Sequence, residues 1–127
     1  MIIARFAMSK ECARFVKGKF YLNDSGLTVD ANDKTNQLFL DYLLFFNQHN
    51  IFKLRAGGAQ QNLDVNAFRK IRFSVPVIEE QTAISHILTT ADKEITLLEE
   101  KLEAMKEEKK GLMQGLLTGE KRLVESC

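Results

Sequence analysis

The run Lys53-Leu54-Arg55-Ala56-Gly57-Gly58-Ala59-Gln60-Gln61-Asn62 concentrates side-chain types that suit a nucleic-acid surface. Lys53 and Arg55 can neutralise phosphates, and Gly57 and Gly58 let backbone amides approach closely. The amides of Gln60, Gln61 and Asn62 can pair bidentately with adenine N6 and N7, as Arg55 can with guanine O6 and N7. The same composition also makes an ordinary polar loop, and composition alone does not choose between the two. Arg5, Lys10, Lys17, Lys19, Arg69, Lys70 and Arg72 are further cationic candidates that equally suit a plain surface.

Catalytic patterns are missing. No GxxxxGK[ST] phosphate cradle occurs; Gly115–Lys121 has glycines and a lysine at the wrong spacing. No GxGxxG follows a strand, so a nucleotide or S-adenosylmethionine site of that kind has no support. His49 and His86 are isolated, and Cys12 and Cys127 lie near opposite ends without metal-ligand spacing. The triplets Glu99–Lys101 and Glu108–Lys110 resemble part of a metal-dependent nuclease motif. They fall on a heptad helix, however, and not on a strand beside a second carboxylate. The expectation is a binding or scaffolding protein with no enzymatic activity, metal or cofactor, in a reducing cytoplasm.

A chain of 127 residues has room for one domain and one long accessory element. Its 45% apolar and 28% charged residues fit a globular protein and exclude a fibre or a disordered tail. No apolar run reaches the roughly 18 residues of a membrane span. The start, Met1–Arg5, has no basic region ahead of an apolar stretch, so no secretory signal is expected. Charge is uneven: residues 1–78 hold 11 Lys and Arg against 6 Asp and Glu, and residues 79–127 hold 7 against 11. A basic front and an acidic back point to different partners.

The only proline, Pro76, separates two periodicities. Ahead of it, Ile2–Phe6 reads as a strand. Ala13–Val16 and Phe20–Asn23 read as a hairpin around Lys17-Gly18-Lys19, and Leu27–Asp30 as a further strand. Asn32 or Asp33 is placed to cap a helix from about Lys34 to Gln48, apolar nearly all round and so expected in the core. Asp64 is placed to cap a helical turn, and Ile71–Val75 reads as a returning strand.

After Pro76 the apolar positions Ile84, Leu88, Ala91, Ile95, Leu98, Leu102, Met105, Leu112 and Leu116 recur at alternating spacings of 4 and 3, with Lys109 as the one polar member. The seam would run about 50 Å at 1.5 Å per residue. Glu79 and Glu80 suit the positive end of the helix dipole, and Gly119 suits its stop. A stripe of that length needs another long helix, unless it folds back on its own domain. Gly111 and Gly115 make a flat strip that suits a docking surface at the last two turns.

The run Pro76-Val77-Ile78-Glu79-Glu80-Gln81, then Ile84, Ile87-Leu88, Asp92, Ile95, Leu98, Lys101-Leu102 and Lys109–Gly119, resembles the helical spacer of the specificity subunit of type I restriction–modification systems. Gly57–Leu63 and the segment ending at Pro76 resemble the closing part of that family's target recognition domain. The resemblance implies an α+β fold: a partial DNA target recognition domain over 1–76, a long coiled-coil spacer and dimerisation helix over 77–119, and a tail over 120–127. It further implies a non-catalytic reader of double-stranded DNA that positions methyltransferase and restriction subunits. Lys53–Asn62 would lie near DNA, and Lys109–Gly119 would meet a partner helix end or a methyltransferase subunit. Family members carry two recognition domains and two antiparallel helices; this chain shows one of each, which reads as a shortened form pairing as a homodimer through antiparallel helices. The rival expectation is a structural coiled-coil protein that touches no nucleic acid.

Overall fold

Ile2-Ile3-Ala4 is a short β-branched run whose alternation turns one side chain inward and its neighbours outward. In the computed structural model, which describes residues 1–6, 10–58 and 61–124, this run is β1 (Ile2–Ala4), and Ile3 is fully buried. β1 is the centre of an antiparallel sheet ordered β2-β1-β3, with β2 at Ala13–Arg14 and β3 at Gly26–Thr28. Ile3 faces Ala13 on one side and Leu27 on the other.

Helix α1 (Gln37–Phe46) starts at Asn36, whose side chain accepts from the Phe39 N–H at 3.0 Å. α2 (Gln48–Lys53) follows directly, and β4 (Arg55–Ala56) pairs with β5 (Asn62–Leu63). Asp64 accepts from the Asn66 and Ala67 N–H groups and so caps α3 (Val65–Arg69), as its position predicts. Ile3, Cys12, Ala13, Leu44, Ile51 and Leu63 form the core, with Leu40, Phe52, Phe68, Ile71 and Phe73 packed around them. Burial pushes the Cys12 thiol pKa up, against a smaller opposing backbone hydrogen bond; its Sγ donates to the Gln48 carbonyl at 3.4 Å. The buried Asp41 carboxylate on α1 is compensated by the Met1 ammonium at 3.2 Å and by Gln37 Nε2 at 2.7 Å.

The α+β class holds, while several boundaries differ from the sequence expectation. The hairpin around Gly18 does not form: Ala13–Arg14 pairs with β1 instead, and Phe20–Asn23 has no ladder partner among the described residues. Asn23 accepts from both the N–H and the hydroxyl of Ser25, which turns the chain into β3, and that strand covers Gly26–Thr28 rather than Leu27–Asp30. Asn32 does not cap α1 because its side chain closes a local turn with Lys34 and Thr35. The helix breaks at Asn47, whose Nδ2 and backbone N–H both go to the Leu43 carbonyl. α1 is not wholly internal either: Phe39, Asp41 and Leu44 are buried, whereas Leu38, Phe45 and Phe46 are exposed. Residues 71–77 carry no strand; Ile71 and Phe73 reach the core without ladder bonds.

Helix α4 (Ile78–Leu117) carries Glu79 and Glu80 in its first turn. Gly119 ends it at φ +77°, a left-handed conformation that glycine adopts without steric cost. Lys121 turns back there, its N–H donating to the Gly115 carbonyl at 2.8 Å. Its aliphatic stem lies over Gly115, so that part of the expected flat strip is occupied by the chain itself, while Gly111 stays open. The chain divides into two units, Met1–His86 and Ile87–Cys127. Within the first, Gln81 is 1% exposed. Its amide donates to the Pro76 carbonyl at 2.8 Å and the Lys34 carbonyl at 3.3 Å, and accepts from the Asn36 N–H at 2.9 Å. Ser85, also buried, donates to the Gln81 carbonyl at 2.7 Å. One amide therefore ties the first turns of α4 to the start of α1.

Candidate nucleic-acid interface

Leu54 caps α2, and the chain passes immediately into β4. Arg55 lies opposite Leu63, and Ala56 opposite Asn62, so the run of cations and amides folds as a hairpin. Leu63 is buried and anchors the hairpin in the core, while its neighbour Asp64 N–H donates to the Leu54 carbonyl at 3.0 Å. Gly57 takes φ +112°, where a side chain would be strained. Lys53, Gly57, Gly58 and Gln61 are exposed, and Arg55 and Asn62 are half-buried. Gln60 lies outside the described residues.

Arg55 is held in place. Its guanidinium carbon lies 4.1 Å from the centre of the Phe52 ring, and Nη1 donates to the Phe52 carbonyl at 3.1 Å. Such cation–π stacking contributes about 0.5–1 kcal/mol at exposed sites. A guanidinium has five N–H donors in a rigid fork, so fixing its plane reduces the entropy lost when the remaining donors bind an acceptor.

The fold also brings Arg5 to this place. Its N–H donates to the Ser25 carbonyl at 2.9 Å, and its carbonyl accepts from the Leu63 N–H at 2.8 Å. The chain leaving β1 therefore bridges Ser25, just ahead of β3, and Leu63 of β5, fixing Arg5 alongside the hairpin. The Arg5 guanidinium lies 5.1 Å from the Phe6 ring centre. Two arginines, each over an aromatic ring, thus flank Leu63. The aromatic beside Arg55, Phe52, directly precedes the basic run; nothing in the residues around Arg5 marks its position, which depends on a long-range backbone bond.

Other cations are distributed differently. Arg69 ends α3 and Lys70 caps it, one short helix beyond the hairpin. Arg72 follows, its Nη1 donating to the carbonyls of Arg69 and Ile71 at 3.4 and 3.3 Å. Lys17 and Lys19 flank the turn at Gly18, where φ is +80°. Among the described residues, no group of three His, Cys, Asp or Glu side chains is placed to hold a metal ion, and no helix is long and apolar enough to cross a membrane.

The second candidate surface is the α4 seam. Ile84 is half-buried. Leu88, Ile95, Leu98, Leu102, Met105, Leu112 and Leu116 are between 38% and 59% exposed, and Ala91 and Lys109 are exposed too. Apolar side chains therefore face water along one stripe of the helix.

Comparison with known proteins gives a consistent assignment. Residues 5–107 match the family described as "Type I restriction modification DNA specificity domain". The chain is similar to a Methanocaldococcus jannaschii protein named "Putative type I restriction enzyme MjaX specificity subunit", with 34% identity over 107 residues. A second protein of that organism, "Type I restriction enzyme MjaVIII specificity subunit", is 27% identical over 108 residues. Each alignment covers 80% of this chain and 25% of the relative, so the chain spans about a quarter of the length of the curated relatives it matches. No solved structure matches.

Proposed function

The chain belongs to the type I restriction modification DNA specificity domain family, and from that premise we propose that it is a non-catalytic reader of double-stranded DNA. Residues 1–76 act as a partial target recognition domain. Residues 77–119 act as a coiled-coil spacer, and 120–127 as a tail. The observation that carries the reading is the β4–β5 hairpin, which sets Lys53, Arg55, Gly57, Gly58, Gln61 and Asn62 around one turn with the Arg55 guanidinium already fixed. Gln60, between Gly58 and Gln61 in sequence, is proposed as a further contact. Phosphate neutralisation by the lysine and arginine supplies affinity, and the guanidinium and amides supply base-edge contacts.

The α4 seam pairs with the seam of a second copy, antiparallel, giving a homodimer with two recognition units. Methyltransferase and restriction subunits are the further partners in the cytoplasm, and no cofactor takes part. The test is anisotropy titration of a labelled mixed-sequence duplex at several salt concentrations. Binding should weaken steeply with salt, and Lys53→Ala/Arg55→Ala should abolish it while Glu103→Ala leaves it intact. A chain that forms dimers but binds no duplex at low salt would instead be a structural coiled-coil protein.

A further inference from the structure

We propose that the homodimer has one defined register, in which Lys109 of each copy lies against Ala91 of the other. The inference rests on the antiparallel pairing above and adds the residue-level alignment. The ten seam positions from Ile84 to Leu116 are equidistant in pairs from position 100. Laid antiparallel about that point, Ile84 meets Leu116 of the second copy and Leu98 meets Leu102, so all ten positions are buried.

The lysine discriminates between registers. At full overlap the long Lys109 stem crosses Ala91, the smallest seam side chain, and its ammonium can snorkel outward. Asp92 and Glu94 flank that alanine on the second copy, so the ammonium emerges beside two carboxylates. The same alignment sets Asp92 beside Lys106 of the other copy, a residue that pairs with Glu103 of its own helix at 3.2 Å. These contacts offset the approach of Glu94 to Glu108 and the like pairs at the centre, Glu99 and Lys101 with their own copies. Sliding by one heptad leaves two seam positions of each copy uncovered and drives Lys109 against Ile84 or Leu98. The second of these shifts pairs Glu99 with Lys106 and Lys101 with Glu108, so it is burial of the complete seam and the small Ala91 opposite Lys109, not flanking charge, that favour full overlap. A parallel pair stacks Lys109 on Lys109, sets Glu94 beside Glu99 and Lys101 beside Lys106, and gains no opposite-charge pair at these flanking positions. Like charges juxtaposed in this way select against that arrangement.

The experiment is disulfide trapping in a Cys127→Ser background, after sedimentation has fixed the oligomeric state. Leu88→Cys and Leu112→Cys chains are oxidised separately and then as a mixture. Cross-linked dimer should appear only in the mixture, joining position 88 to position 112, and a mixture of Leu88→Cys with Met105→Cys should give none. Asp92→Lys should raise the dissociation constant at least tenfold, and adding Lys106→Asp to the same chain should recover most of that loss. Self-cross-linking of Leu88→Cys shows a parallel pair, and cross-linking of 88 to 105 shows a shifted one. Either outcome overturns the register while leaving the homodimer in place. A chain that sediments as a monomer at tens of micromolar overturns both.

Discussion

Arg5 and Arg55 reach the same hairpin by unequal routes. Arg55 sits within a run whose composition already suggests contact with phosphates and bases, so its candidacy is visible in the sequence. Arg5 stands alone in sequence, and only the bond from the Leu63 N–H to its carbonyl places it there. If the hairpin meets DNA, Arg5→Ala should weaken duplex binding by about 1–2 kcal/mol, the loss of one charge-assisted contact. Lys17→Ala, at the separate Gly18 turn, should change it little. Anisotropy titration at fixed salt distinguishes the two. Cys12 offers a second measurement at this scale. Its folded pKa is raised by burial, so the unfolded thiol ionises first as pH rises. The unfolded state then binds fewer protons, and stability falls as pH passes the unfolded value of about 8.5. Urea unfolding between pH 7 and 10 should show a loss that is smaller in Cys12→Ala, with Cys127→Ser in both chains.

The elements differ in how far the sequence discloses them. α4 is legible because its apolar positions recur at alternating spacings of 4 and 3 from Ile84 to Leu116, and Glu79, Glu80 and Gly119 mark its ends. The cap at Asp64 is legible because its hydrogen bonds are local. β2 and β3 are legible as strands near their places but not in their pairing, since both pair with β1 across many intervening residues, and two or three residues of alternation do not name a partner. Likewise the break at Asn47 depends on a side-chain bond that competes with the helix. Gln81 belongs to a motif readable in the sequence, yet its role as a tie between α4, α1 and the Pro76 segment is not. Replacing it with leucine leaves the Asn36 N–H and the Lys34 and Pro76 carbonyls without their amide. That should cost about 2–4 kcal/mol in urea unfolding. Hydrogen exchange should rise over residues 78–86 while 95–110 keep their wild-type rates. A uniform change along α4 would contradict this local role.

For the whole molecule, the two units obtain their stability differently. Met1–His86 contains a core centred on Ile3 and Ile51, both fully buried, and truncating either to alanine should cost about 2–5 kcal/mol. The second unit holds the greater part of α4, whose apolar seam is half in water, and helices gain most of their stability from packing. Far-UV dichroism should therefore show helix content rising with protein concentration. Leu98→Glu/Leu102→Glu should remove that dependence without altering unfolding of the first unit. Any base preference of the hairpin is not legible in the sequence, because it would depend on the shape and deformation of a bound duplex.

The half-exposed leucines of α4 also bear on the lifetime of each copy. Chaperones and proteases act on accessible apolar segments. A newly made chain presents Ile95, Leu98 and Leu102 to that surveillance until they are covered. If the stripe pairs with a second copy, abundance should rise more steeply than in proportion to synthesis, because unpaired copies predominate at low concentration and are turned over first.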